Sequence, residues 1–376
     1  MNLFFYYKEN NFFICVSCLL SKKNVYLYQN IFYTCGVLVL SKRKRSDEMR
    51  ENGYFLGIDG GGTKTTALCV AHTGAVVAKI SGESINFCSE GMERARENLR
   101  LIVRRLSETA GVSDYRSVFI GSSALSKRAD TETLERFAGG IIKAQTLIMD
   151  SDLAAALATM QGERECAAVI SGTGSMAVLK TASGALKTAG GWGYILGDEG
   201  SAYAIALDGI RAGIRGFEGS GERTLLTDEL LSFFGASDIY DLVGMFYDPP
   251  MERKRIAGFA RRVCACSRVD IVAKEIIFSQ AELLSRTVLA LLRGRSTDIK
   301  IGVWGGVLLN CEAFRTHLAD CLAAEGYKNV SPLPFAPEVG AVFEAVRAAG
   351  EALDEGFIKN ISEGAEKSYD FSRKIF

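Results

Sequence analysis

The chain has 376 residues, 48% of them apolar and 10% aromatic, with only five prolines; this is enough for two cores and excludes a disordered chain. Lys plus Arg and Asp plus Glu both total 44, so no net field points to nucleic acid or an acidic surface. Among the ten cysteines and two histidines, Cys15-x-x-Cys18 and Cys264-x-Cys266 lack a second pair at zinc spacing, which argues against a zinc module. The cysteines read as small hydrophobes of a reduced, cytoplasmic protein.

Residues 1–52 differ from the rest. Apolar runs at Phe12–Leu20 and Val25–Leu40 lead to the basic Lys42-Arg-Lys-Arg45. One reading is a membrane anchor, with the basic cluster holding the following domain on the cytoplasmic side; against it, the longer run contains Gln29 and Asn30 and falls short of the roughly 20 residues a span needs. No membrane association is expected of the core. Met49 is read as the start of the folded protein, and 1–52 as a non-core extension that packs poorly or forms an isolated helix.

Tyr54-Phe-Leu-Gly-Ile-Asp-Gly-Gly-Gly-Thr-Lys-Thr-Thr66 reads as a buried strand that breaks into a glycine turn. Backbone N–H groups of Gly61 and Gly62, with Thr63 and Lys64, can cradle phosphate oxygens. Asp59 at the strand end is placed to hold Mg²⁺ through water. Strands at Thr66–Ala71 and Ala75–Ile80 complete an antiparallel set, and Asn86 sits in the polar loop that follows. The spacing of Ala95, Leu99, Ile102, Val103 and Leu106 predicts a helix over 93–110, its arginines on a solvated face. Strands at Ser117–Gly121 and Thr146–Met149 follow. The second runs into Asp150-Ser151-Asp152 and an alanine-rich helix, where either acid could accept the proton of an attacking alcohol.

Cys166–Ile170 is a strand leading into Ser171-Gly-Thr-Gly-Ser175, a second phosphate turn about 110 residues after the first. Thr173 and Gly174 are its donors. Gly190-Gly-Trp-Gly-Tyr-Ile-Leu-Gly-Asp-Glu-Gly-Ser-Ala-Tyr203 follows: Trp192 offers an apolar ring face for a pyranose, and Asp198 an acceptor for a hydroxyl or a helix cap. No chemistry is read in 213–270. A long helix over 272–292 and the strand Lys300–Trp304 come next. The small residues Gly305 and Gly306 leave room for a flat ring, and a small-residue helix spans 339–349. The charged tail after Gly350 is expected to fray.

In this order and spacing the motifs resemble the N-acetylglucosamine kinases and their relatives in the BadF/BadG-type ATPase family, over roughly residues 53–350. The resemblance implies an α/β, two-lobed, actin-like ATPase (ribonuclease H-like) fold with duplicated lobes and an interlobe cleft. It implies a lobe over 53–165, a second over 166–334, and a C-terminal helix and tail over 335–376 packing back at the hinge. It implies an ATP- and Mg²⁺-dependent kinase acting on the 6-hydroxyl of N-acetylglucosamine, glucosamine or N-acetylmuramic acid, with dimers common in the family. Asp152 takes the base position, Gly305 and Gly306 the adenosine turn, and Asn86, Thr173, Gly191, Trp192 and Asp198 the sugar site. Two alternatives stand beside it. One is an ATPase activator of a dehydratase or benzoyl-CoA reductase, whose cluster cysteine before the second turn is missing here. The other is a non-catalytic sugar sensor.

Overall fold

The computed structural model describes residues 33–34, 37–38, 53–125 and 128–366. Met1–Asp47 and Glu48–Phe376 form two units. In the first, β1 (Tyr33–Thr34) pairs antiparallel with β2 (Val37–Leu38); the isolated helix expected in 1–52 falls otherwise outside the described residues. No helix among the described residues is long and apolar enough to cross a membrane.

The second unit carries one topology twice. β3 (Tyr54–Gly60), β4 (Lys64–Ala71), β5 (Val76–Glu83), β6 (Tyr115–Ser122) and β7 (Ala144–Asp150) form a sheet of order β5-β4-β3-β6-β7. β8 (Cys166–Ser171), β9 (Ser175–Lys180), β10 (Leu186–Gly190), β11 (Lys300–Trp304) and β12 (Val330–Pro332) repeat it as β10-β9-β8-β11-β12. In each sheet the first three strands are antiparallel and the last two run parallel to the first. Strands central to such sheets are buried on both faces and read as continuous apolar runs, as Phe55, Leu56 and Ile58 do at 0% exposure.

Around the first sheet lie α1 (Phe87–Glu90), α2 (Met92–Ala110), α3 (Thr131–Ala138) and α4 (Asp152–Ala158). The five residues whose spacing marked α2 are the five it buries, and Gly111 ends it in a left-handed conformation with its N–H on Ser107 O. The sequence reading did not identify α3, a short helix capped by Asp130 on the Thr133 N–H. The second half adds α5 (Ala202–Glu218), α6 (Leu226–Phe234), α7 (Asp241–Tyr247), α8 (Arg253–Gly258), α9 (Ala260–Cys266), α10 (Ile271–Leu292), α11 (Gly306–Asn310) and α12 (Glu312–Ala324).

α13 (Pro337–Ala348) returns to the first sheet. Gly57 admits it, since a Cβ there would lie 2.4 Å from Val342 N. The tail does not fray at once: α14 (Glu355–Glu366) buries Phe357 and Ile361, with Phe357 edge-on to Phe55 at 6.3 Å. Its apolar residues recur at helical spacing, and their burial outweighs the surrounding charge. α4 lies between the two sheets. Ala155 and Ala158 pack with the first half's core, while Leu153, Ala156 and Leu157 pack with Cys166, Ala168 and Val178 of the second.

Candidate active site

The two glycine turns meet. The Thr63 and Thr173 hydroxyls are 2.5 Å apart, so strand ends 110 residues apart in sequence converge on one point. The first turn is tight because Gly60 is wedged: a Cβ there would lie 2.6 Å from Ile85 Cγ1 and 2.8 Å from Gly121 O. Past it, Gly61 is half-buried and Gly62 exposed, and Lys64 is exposed at the start of β4. In the second turn the Gly172 N–H donates to Gly174 O at 2.9 Å. Donors from both halves thus face one small volume, the geometry a di- or triphosphate needs.

Three acids approach the same point. Asp59 pairs with Gly121 across β3 and β6, and a Cβ on Gly121 would lie 3.2 Å from the Asp152 Cα, so Gly121 keeps the backbones of the two aspartates close. Burial pushes the Asp59 carboxyl well above the usual range, the negative Glu338 and Asp152 push it further, and Lys64 opposes. Asp59 makes no side-chain hydrogen bond or ion pair among the described residues. A carboxyl in that state fits a cation site, because a divalent ion beside it restores the charged form. Burial also raises Asp152, to about 6, against hydrogen bonds from its own N–H and that of Leu153. Asp150 is engaged elsewhere, accepting from Ser151 N at 2.7 Å and pairing with Arg128 at 3.3 Å.

The Gly190–Tyr203 block is laced to the second turn. Ser171 Oγ donates to Gly200 O and Ser175 Oγ to Glu199 O, each at 2.6 Å; the Ala202 N–H donates to Gly172 O at 2.8 Å and the Gly191 N–H to Ser175 O at 3.0 Å. Trp192 stands 73% exposed beside the equally open Ile195 and Leu196. Asp198 is different from the free acceptor expected. It is 4% exposed, adopts φ +62°, accepts from Gly193 N at 3.3 Å, and pairs with Arg253 at 2.8 Å. Burial raises its carboxyl and Arg253 opposes. The helix cap read as its other role belongs to Ser201, which accepts from Ala204 N.

Arg253 corrects the reading that 213–270 holds no chemistry. Its guanidinium also reaches Thr173 O at 3.4 Å and lies 5.1 Å from the ring centre of Tyr194. It therefore ties the Gly190–Tyr203 block to the second glycine turn. Nothing local marked it, since Arg253 and Asp198 are 55 residues apart. Asn86 caps α1, accepting from Cys88 N and Ser89 N, and donates to Ser123 Oγ at 3.0 Å. Gly305 packs against the end of β8 at the start of the second turn, where a Cβ would lie 2.2 Å from Ser171 O, while Gly306 faces open space.

The model of the BadF/BadG/BcrA/BcrD ATPase family matches residues 56–345. The chain belongs to this family. It is 30% identical over 263 residues to an N-acetylmuramic acid/N-acetylglucosamine kinase of Clostridium acetobutylicum, spanning 68% of this chain and 86% of that one. It is also 30% identical over 206 residues to an N-acetyl-D-glucosamine kinase of Dictyostelium discoideum, spanning 52% of this chain and 65% of the relative. The fold matches a solved structure from Chromobacterium violaceum, provisionally named an N-acetylglucosamine kinase, with a TM-score of 0.63 at 21% identity over 77% of this chain and 98% of that one. That likeness supports the two-lobed, actin-like architecture of this member of the family.

Proposed function

We propose that this ATPase-family member is an amino-sugar kinase that transfers the γ-phosphoryl group of ATP to the 6-hydroxyl of N-acetylglucosamine or N-acetylmuramic acid. The observation that carries the reading is Asp152: a carboxyl raised to about 6 by burial, on the first turn of a helix beside two converging phosphate turns. The sugar oxygen attacks the γ-phosphorus, the bond to the bridging oxygen breaks, and ADP leaves while the hydroxyl proton passes to Asp152. Gly61, Gly62, Thr63, Lys64, Thr173 and Gly174 hold the phosphates, and adenosine lies against Gly306. Asp59 would hold Mg²⁺ through water, and the ion would supply neutralisation of the phosphate charge when bound. Trp192, Gly191 and Asn86 face the sugar, with Asp198 and Arg253 shaping its floor.

The test is ADP release with Mg·ATP across a panel of amino sugars, wild type beside Asp152→Asn. One sugar stimulates turnover, and the substitution lowers that turnover by roughly 10²-fold or more, the scale of a lost general base. Absence of stimulation by every sugar, or undiminished turnover in the variant, overturns the reading.

A further inference from the structure

One nitrogen of Arg253, at the start of α8, serves two parts of the site at once: Nη2 lies 2.8 Å from Asp198 Oδ2 and 3.4 Å from Thr173 O. The second glycine turn rests directly on this pair. A Cβ on Gly174 would lie 2.7 Å from Asp198 Oδ2 and 3.0 Å from Arg253 Nη2, so the turn keeps its place only while those two side chains keep theirs. Both partners are held from other sides as well. The ring centres of Tyr194 and Tyr203 lie 5.1 and 5.9 Å from the guanidinium carbon, within cation–π reach, and the Gly193 N–H donates to Asp198 Oδ1 at 3.3 Å. Asp198 is 4% exposed with φ +62°, a left-handed conformation that a non-glycine residue keeps where its surroundings impose it. Removing Arg253 takes away the cation paired with this buried carboxylate, which leaves a charge that the surroundings must rearrange to answer.

We propose that Arg253 is a positioning residue for phosphoryl transfer, acting through Asp198 to set Thr173 and Gly174 opposite the first turn. The inference rests on the kinase reading and goes past it, giving a residue of the sugar floor a second task at the phosphates. The Thr173 hydroxyl meets that of Thr63, so a shift of the second turn separates donors that come from the two halves. A misplacement on the order of 1 Å can cost about 10²-fold in rate. Both polar contacts of Arg253 to the site come from the single nitrogen Nη2, so the point charge of a lysine can stand in for it, whereas methionine fills the space without charge.

The experiment measures sugar-stimulated ADP release by the full chain, with ATP and sugar each varied to saturation, for wild type, Arg253→Met, Arg253→Lys and the double variant Arg253→Met/Asp198→Asn. Urea unfolding of each shows that it is folded. At saturation, Arg253→Met lowers kcat by roughly tenfold or more, and Arg253→Lys returns it to within about threefold of wild type. The double variant, with no charge left unanswered, is no slower than Arg253→Met but stays below wild type, because Thr173 O still lacks its donor. A wild-type kcat in folded Arg253→Met, with any loss confined to the KM of the sugar, limits Arg253 to the sugar floor and overturns the proposal. So does a wild-type kcat in the double variant, or an Arg253→Lys as slow as Arg253→Met. Absence of sugar stimulation in the wild type overturns the kinase reading itself, and this proposal with it; stimulated wild type beside an undiminished Arg253→Met overturns this proposal alone.

Discussion

β7 and β12 occupy matching edges of the two sheets, and each leads into a helix that opens with an acid: Asp152 begins α4, and Glu338 follows Pro337 at the start of α13. The two helices pack on each other, Gly340 against Ala155. The carboxyls nevertheless have opposite surroundings. Glu338 is 2% exposed and pairs with Lys79 of β5 at 2.8 Å, so its charge is answered from within the first sheet. Asp152 has no such cation and is held near pH 6 by burial. Duplication supplies two helix starts, one whose acid is tied to a lysine and one whose acid is raised by burial with no such partner.

The sharpest way to break this comparison is to neutralise each acid in turn. Asp152→Asn lowers kcat by roughly 10²- to 10⁴-fold, while Glu338→Gln changes kcat less than about tenfold, as an acid occupied in an ion pair with Lys79 should. Equal losses in steady-state assays would mean that both helix starts serve the chemistry. Next in size is the contact between the helices. A Cβ on Gly340 would lie 1.8 Å from Ala155 O and 2.9 Å from Thr159 Cγ2, neither of which can move without shifting α4. Gly340→Ala therefore destabilises the fold by about 3 kcal/mol, read from urea unfolding.

Local signals carried much of this into the sequence. The apolar run through Ile58, the glycines after Asp59 and the spacing in α2 depend on neighbours within a few residues, and each stands in the structure where it was read. Pairings set by the tertiary fold were not legible. Glu338 lay one residue before what read as a small-residue helix over 339–349, and its partner Lys79 is on a strand of the opposite end of the chain. Arg253 sat among other basic residues with nothing to mark it for Asp198. α14 was within reach, since Phe357, Ile358 and Ile361 repeat at helical spacing, but the flanking charges obscured it. Asp198 read as a free acceptor because its cation arrives from 55 residues away.

Removing the lysine rather than the acid sharpens the comparison from the other side. Lys79→Met leaves Glu338 buried without its cation, and breaking a buried pair in this way costs several kcal/mol when both partners are dry. Here the Lys79 side chain keeps 22% exposure, which reduces the loss to about 2 kcal/mol, read from urea unfolding. The partnered acid is thus the one whose environment stabilises the fold.

The smallest effect separates the two acids by sign. Burial holds Asp152 at about 6 in the folded chain against 3.8 ordinarily, so the folded state binds its proton more tightly than the unfolded state does. The stability that this contributes is complete below pH 3.8 and is lost as pH rises through about 6. The amide introduced by Asp152→Asn imitates the protonated acid at every pH, so the substitution should raise the unfolding free energy at pH 8 and leave it unchanged near pH 4. A shift of about two pH units corresponds to about 3 kcal/mol for a group cut off from water; the partial exposure of Asp152 reduces the gain to about 1 kcal/mol. The same proton governs catalysis in the opposite direction, because a base must be ionised: kcat/KM of the wild type rises through pH 6 and levels above it. A carboxyl that strains the fold at the pH where it works joins the two measurements, and a stability gain that persists at pH 4 would assign the strain to something other than its charge.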